Sequence, residues 1–295
     1  MLFLLVLFVN PGYCHNPDTR TTKRGYLVYT YRMWWEPFTF QENQWYCWRL
    51  AGAEIFVCRS GKTWRSCCRS LRWEKRDALC TGPLQEEPAD QDAVQTNVLS
   101  RKTAALRPYL PKKPFLINTG KLNLFPGTKI TLELQIPPLL HLSAEKNENA
   151  HDHIFDFSPF TLKETWYGKN SMEGFVCFTL PVNAQNKSTA DSGNQDMRQG
   201  SSCSLEVRCS MTIRNKTKKL LELNAVPLYT AGLSVYEKNQ SLISDAPVID
   251  ALENDFHMSI ESAKSEHGVL LTCGNRNDPG LIQHGTRIIK NITGL

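Results

Sequence analysis

The sequence has no CxxC pair and no GxSxG element, and it has no apolar run near the roughly 20 residues that span a bilayer. Its longest greasy stretch near the start, Leu2 to Val9, is eight residues long. No charge precedes that stretch, and "NPGYC" follows it instead of a small-x-small cleavage site, so the grammar of a signal peptide is missing. Tyr13 before Cys14 also spoils a lipoprotein-type site. Residues 1–32 are therefore read as an extension or a mis-assigned start, with Met33 as a natural first residue. Charge of one sign is scarce too: a net +5 over 295 residues excludes a nucleic-acid-type polycation. With 41% hydrophobic and 10% aromatic residues, the chain can bury a core and is not globally disordered.

Ten cysteines are present, but their irregular spacing does not describe a disulfide framework. Cys203 and Cys209 fall on one expected strand, about 20 Å apart, beyond disulfide reach. Cys67 and Cys68 are adjacent and would face opposite ways. Reduced cysteines serving as small apolar side chains are the expectation, in a cytoplasmic protein, with export as the alternative. The four Asn-x-Ser/Thr sequons, at Asn186, Asn215, Asn239 and Asn291, are near chance for this composition.

Period-two alternation dominates what is there. "KITLELQIP" puts Ile130, Leu132, Leu134 and Ile136 on one face, and "SLEVRCSMTIRN" does the same with Leu205, Val207, Cys209, Met211 and Ile213. Both read as antiparallel strands with one wet face. After the turn at Asn215–Lys218, "KLLELNAVPL" is expected to pair with the strand before it. "GFVCFTL", apolar on both faces, is placed centrally. Residues 86–105 are polar and aperiodic, a linker or short helix, and 184–202 is a polar low-complexity loop. "DPGLIQHGTRIIKNITGL" carries the one helix signal, with Asp278 as cap and Pro279 in the first turn.

Between Met33 and Gly52 stand four tryptophans, two phenylalanines and a tyrosine. Tyr46, Trp48 and Leu50 share one strand face, and Phe38 and Phe40 another. Rings spaced by two on neighbouring strands pack on one another, so a core is expected rather than a ligand platform. Downstream, Ile55 to Arg59 is expected to pair with Lys62 to Ser66 across Ser60-Gly61, setting Trp64 opposite Val57.

Four blocks then carry a resemblance: "NQWYCWRLAGAEIFVCRSGKTW", "RPYLPKKPFLINTGKLNLFPGTKITLELQIP", "TLKETWYGKNSMEGFVCFTL" and "MTIRNKTKKLLELNAVPLYTAGLSVYEKN". In order and spacing they resemble an uncharacterised prokaryotic family, domain of unknown function number 432, over roughly residues 33–245. The "TWYGKNSMEG" block is the most specific. The resemblance implies a β-rich fold and a prokaryotic source, and it brings no activity, cofactor or catalytic residue. The extension, the 184–202 loop and the extra cysteines depart from the family pattern.

Three constellations could carry chemistry. In "HDHIFDF", His151 and His153 share a strand face and could hold a divalent metal if Asp156, Glu164 or His141 closed the shell; solvated loop histidines are the plainer reading. Arg59, Lys62, Arg65, Arg69, Arg72, Lys75 and Arg76 stand against Glu74 alone, a local surplus of six that exceeds the chain's own net charge. Such a surface could meet an anionic membrane or, less favoured, nucleic acid; otherwise it is a hairpin edge kept soluble by charge. Glu164, Trp166, Tyr167 and Glu173 could line a ligand site, with the two glutamates as a carboxylate pair, or simply form a packed turn.

The expected architecture is all-β. It has an aromatic hairpin sheet at 33–85, a linker at 86–105, an antiparallel β-sandwich at 106–272 and a C-terminal helix at 273–295. The expected function is a non-enzymatic binding or accessory module without a cofactor. It would meet another protein or an anionic membrane surface through the basic hairpin or the "TWYG" region. A metal-dependent or carboxylate enzyme using His151, His153 and Glu164 is the first alternative. An exported carbohydrate-binding module, which needs Trp34, Trp45 and Trp48 exposed, is the second.

Overall fold

The computed structural model describes residues 33–50, 53–70, 81–89, 92–147, 150–168, 174–180, 205–239, 241–253, 256–261 and 268–274, and two short strands before them. Among the described residues there are 22 strands and no helix. The first eight are β1 (Arg20–Thr21), β2 (Leu27–Val28), β3 (Phe38–Thr39), β4 (Trp45–Leu50), β5 (Ala53–Ser60), β6 (Thr63–Ser70), β7 (Thr81–Gln85) and β8 (Gln95–Val98). Next come β9 (Thr103–Tyr109), β10 (Phe115–Leu124), β11 (Lys129–Ile136), β12 (Leu139–Asn147), β13 (Ala150–Phe157), β14 (Lys163–Gly168) and β15 (Gly174–Thr179). The last are β16 (Val207–Asn215), β17 (Leu221–Leu228), β18 (Val235–Lys238), β19 (Ser241–Ser244), β20 (Ala246–Ala251), β21 (Phe256–Glu261) and β22 (Val269–Thr272).

β1 and β2 pair within a unit spanning Met1–Met33; the other strands belong to a unit spanning Trp34–Leu295. That second unit holds four sheets. The first runs β7-β4-β5-β6-β8, the second β13-β12-β9-β3, and the third β14-β15-β10-β17. The fourth runs β21-β20-β16-β19-β18-β22, with β11 on the far edge of β16. The all-β expectation therefore stands. The expected helix falls, apart from Cys273 and Gly274, outside the described residues, as does the 184–202 loop.

Alternation placed β11 and β16 correctly. They pair antiparallel with Ile130 opposite Ile213, Leu132 opposite Met211 and Leu134 opposite Cys209, and every other residue of β16 is buried. Two expectations about neighbours fail. β17 does not pair with β16 but with β10, in the third sheet. The cause is that both edges of β16 are filled, one by β11 and the other by β19 and β20. Those last two pairings are parallel, as is β10 with β15, so the strands are not uniformly antiparallel. β15 does lie inside its sheet, between β14 and β10.

The hairpin of β5 and β6 also differs in register. Ser60 pairs with Thr63, so the two-residue turn is Gly61-Lys62, and Trp64 lies opposite Arg59 instead of Val57. Gly61 takes φ +61°, the positive value that a II′ turn needs at its first loop position. The glycine stands first in the loop, not second. The segment 86–105, expected as linker or short helix, supplies β8 and the start of β9. Gln95–Val98 is mostly exposed and adds an edge strand to β6. Hydrogen bonding rather than burial holds it, so no hydrophobic period announces it.

Phe40 sits among the rings of the first sheet. Its centroid lies 4.9 Å from Trp64, 5.5 Å from Tyr46 and 5.8 Å from Trp48. Trp34, Trp48 and Trp64 are at most 1% exposed. Two of these indoles donate to backbone carbonyls, Trp48 to Trp34 and Trp64 to Leu99. The aromatic stretch is thus a core, with Trp45 only partly buried on the opposite sheet face.

Candidate functional site

The basic hairpin is less basic in space than in sequence. Arg59 is buried; its guanidinium donates to Glu42 at 2.7 Å and to the carbonyl of Arg101 at 2.8 Å. Glu42 also accepts the Gly61 N–H, which together with Arg59 holds its carboxyl below the usual range. Arg65 lies over the Trp45 ring at 5.2 Å. Arg69 chelates Asp92 at 2.6 and 3.4 Å, donates to Glu54 at 3.1 Å and covers Phe56. Arg49 then bonds both Glu54 and Glu86. The result is a ladder, Glu86–Arg49–Glu54–Arg69–Asp92, across the outer face of the first sheet. Only Lys62, exposed in the turn, keeps the expected character; Arg72, Lys75 and Arg76 lie outside the described residues. The carboxylates come from elsewhere in the chain, and the correct register would have placed Glu54 opposite Arg69.

Beneath this ladder lie Cys47, Phe56 and Cys67, all buried. Burial pushes the Cys47 thiol up to about 12 and the Cys67 thiol up to about 11. Such thiols stay protonated and act as small apolar groups. All seven cysteines among the described residues are free.

The histidine strand lies in the second sheet. A bulge between the Leu142–Phe155 and Ser143–His153 pairs leaves Ile154 extra in β13. His153 Nε2 is 3.0 Å from Asp156 Oδ1, and the His141 ring lies 6.5 Å from the His153 ring. Tyr109 donates to Asp156 at 3.3 Å, and burial first, then that carboxylate, pushes its phenol up to about 12. Both His153 and Asp156 are more than half exposed. Glu164 stands on the third sheet with its carboxylate taken by Lys113, so it does not converge on the histidines. No group of three His, Cys, Asp or Glu able to hold a metal occurs among the described residues. Nothing is described of the His151 side chain.

At the third candidate, "TWYG" is strand, not turn. Successive strand residues point to opposite faces. Trp166, half exposed, therefore shares a face with Glu164, while Tyr167 packs away from it against Phe175 at 5.9 Å. Glu173 lies outside the described residues. Opposite Glu164 is Phe178, with the Lys113 ammonium 5.0 Å above its ring, and opposite Trp166 is Val176, 40% exposed. A Cβ on Gly174 would come within 2.7 Å of the Trp166 indole, so the ring lies against that glycine. Cys177, buried behind this face, has its thiol raised to about 11 by that burial. The surface offers a ring, an apolar neighbour and a charge pair.

The family model described as Protein of unknown function (DUF432) matches residues 34–270. The chain belongs to this family. The match begins at Trp34, where the second compact unit begins, and spans all four of its sheets up to β22. No curated protein and no solved structure matches the chain. The family's description names no activity. The aromatic stretch of this DUF432 chain has also lost one role, because a carbohydrate platform would need exposed Trp34 and Trp48, and both are 1% exposed.

Proposed function

We propose that this DUF432 protein is a non-enzymatic binding or accessory module that meets a partner protein along β14 and β15. One observation carries the reading: Trp166, 50% exposed, stands on the terminal strand of the third sheet beside exposed Val176 and the Lys113–Glu164 pair. A terminal strand offers backbone donors and acceptors to an added strand, and a tryptophan beside it supplies the anchoring area. The basic hairpin supports the reading less, since Arg59 and Arg69 already serve internal carboxylates. We also read residues 106–272 as a β-sandwich, on the one-sided burial of β16 and the alternating burial that opens β17. The free, buried cysteines favour a reducing, cytoplasmic setting, with export as the alternative.

The test is recovery of the tagged protein from its native cells, wild type beside Trp166→Ala, with bound proteins identified by mass spectrometry. A partner held by the wild type and lost with the indole supports the reading. Identical bound proteins in both samples overturn it.

A further inference from the structure

One corner of the molecule combines exposed apolar tips with lysines. It is organised by Asn215, at the end of β16, which is 1% exposed. Its carboxamide donates to the carbonyls of Leu124 at 2.8 Å and Lys219 at 2.9 Å, and accepts the Thr217 N–H and hydroxyl. Its own backbone bonds Gly127 and Thr128, and Lys216 next to it donates to Ala251. Three loops, 125–128, 216–220 and 252–253, therefore meet around Asn215: its side chain ties the second, its backbone ties the first, and the Lys216 N–H ties the strand end before the third. Each presents a large apolar residue one position from the bonded atoms: Phe125 at 67% exposure, Leu220 at 45% and Leu252 at 40%. Leu124 pairs with Leu221, so Phe125 and Leu220 stand side by side where β10 and β17 end.

The charge there is uneven. Asp250 is engaged by Lys216 at 2.7 Å, and Glu253 accepts the backbone N–H of Lys218. Lys218 and Lys219 are exposed, and no carboxylate among the described residues pairs with them. Burying Asn215 also removes its sequon from any glycosylation role, which leaves the turn as structure.

We propose that this corner is a membrane-docking tip: Phe125, Leu220 and Leu252 enter the headgroup–acyl boundary of an anionic leaflet while Lys218 and Lys219 hold its phosphates. The argument is complementarity of both kinds. Three apolar side chains on separate loop tips are few beside the roughly 20–30 residues a side of a specific protein interface. A lipid boundary needs only penetration, and lysine stems can lie along the apolar zone with the ammonium at the headgroups. One weak anchor gives marginal binding, whereas an apolar anchor joined to basic residues adds two signals. The hydrogen bonds around Asn215 already hold the loop backbones, so little ordering is lost on docking.

The experiment is co-sedimentation of the full chain with vesicles of equimolar phosphatidylcholine and phosphatidylserine, and with phosphatidylcholine alone. The wild type should bind the mixed vesicles and not the neutral ones. Phe125→Ser with Leu252→Ser should weaken binding about tenfold or more at any salt concentration. Each of Lys218→Ala and Lys219→Ala should weaken it about fivefold, and only at low salt. These sites are exposed, so unchanged melting temperatures should show that the variants fold. In Phe125→Trp, the added indole's emission should shift to the blue when mixed vesicles are added. Failure to bind mixed vesicles overturns the proposal. So does binding that the serine variants leave intact, or lysine-dependent capture of a short RNA without any vesicle binding.

Discussion

The first and third sheets each set tryptophan and tyrosine on one strand and treat the indole oppositely. In the first, Tyr46 and Trp48 alternate along β4 and vanish under Phe40. In the third, Trp166 alternates with Thr165 and Tyr167 along β14, yet its ring stays half in solvent. The difference lies in what covers the face. β3 and the residues after it carry Phe38 and Phe40 onto the first sheet's inner side, and its outer side is roofed by arginines tied to Glu54 and Asp92. Period two states that a residue shares a face with its second neighbour; it does not state what lies above that face. Burial is a property of the partner layer, and that layer comes from distant sequence.

The sharpest way to break this comparison is to truncate one indole from each sheet. Trp64 is fully buried, packs edge-on against Phe40 and donates to Leu99, so Trp64→Ala should cost about 3–5 kcal/mol. Trp166→Ala removes a half-exposed ring and should cost under about 1 kcal/mol. Chemical denaturation of the two variants measures both values. Similar costs would mean that Trp166 is core after all, and that the third sheet's open face has been misread.

Much of the fold was legible because one-sided burial leaves a mark. The faces of β11 and β16 could be written residue by residue, and the indoles of the aromatic stretch went inside as their spacing required. What was illegible has physical reasons. β8 is held by pairing with β6 while its side chains stay mostly wet, so no period marks it. β17 follows β16 closely in sequence but lies on another sheet, because both edges of β16 are filled and Asn215 ties the turn to Leu124 beside it. At the candidate sites, a run of like charges stands out, whereas the carboxylates that offset it, Glu42, Glu54 and Asp92, lie before or after it in the chain. At "TWYG", adjacency on a strand sets Trp166 and Tyr167 on opposite faces, Tyr167 against Phe175.

A subtler intervention sharpens the contrast by moving Trp166 rather than deleting it. Gly174→Ala would set a methyl 2.5 Å from the Tyr167 carbonyl and 2.7 Å from the indole. The ring can swing away; the backbone oxygen cannot without shifting β14 against β15. The substitution should therefore cost about 1–3 kcal/mol and change the accessibility of Trp166 to iodide. Combined with Trp166→Ala it should still destabilise, because the carbonyl clash survives. A neutral double variant would show that the ring alone enforces the glycine.

The smallest effect concerns the arginine–carboxylate pairs of the first sheet, Arg69 with Asp92 on its outer face and Arg59 with Glu42. Arg69 holds the Asp92 carboxyl below the usual carboxylate range, and the Gly61 N–H together with Arg59 does the same for Glu42. A folded-state pKa below the unfolded one stabilises the fold above the unfolded value, near about 4, and that gain is lost as pH falls through the folded value. Melting temperature should thus be level near neutrality and decline below about pH 4, where the unfolded chain takes up protons first. Asp92→Asn with Glu42→Gln should melt slightly lower at neutral pH and lose part of that acid slope. Both carboxylates lie at the surface, so added salt should shrink the difference between wild type and double variant. If the slope survived the double substitution unchanged, Arg69 would be covering Phe56 by ring contact alone, and that cover would be held by stacking rather than by charge.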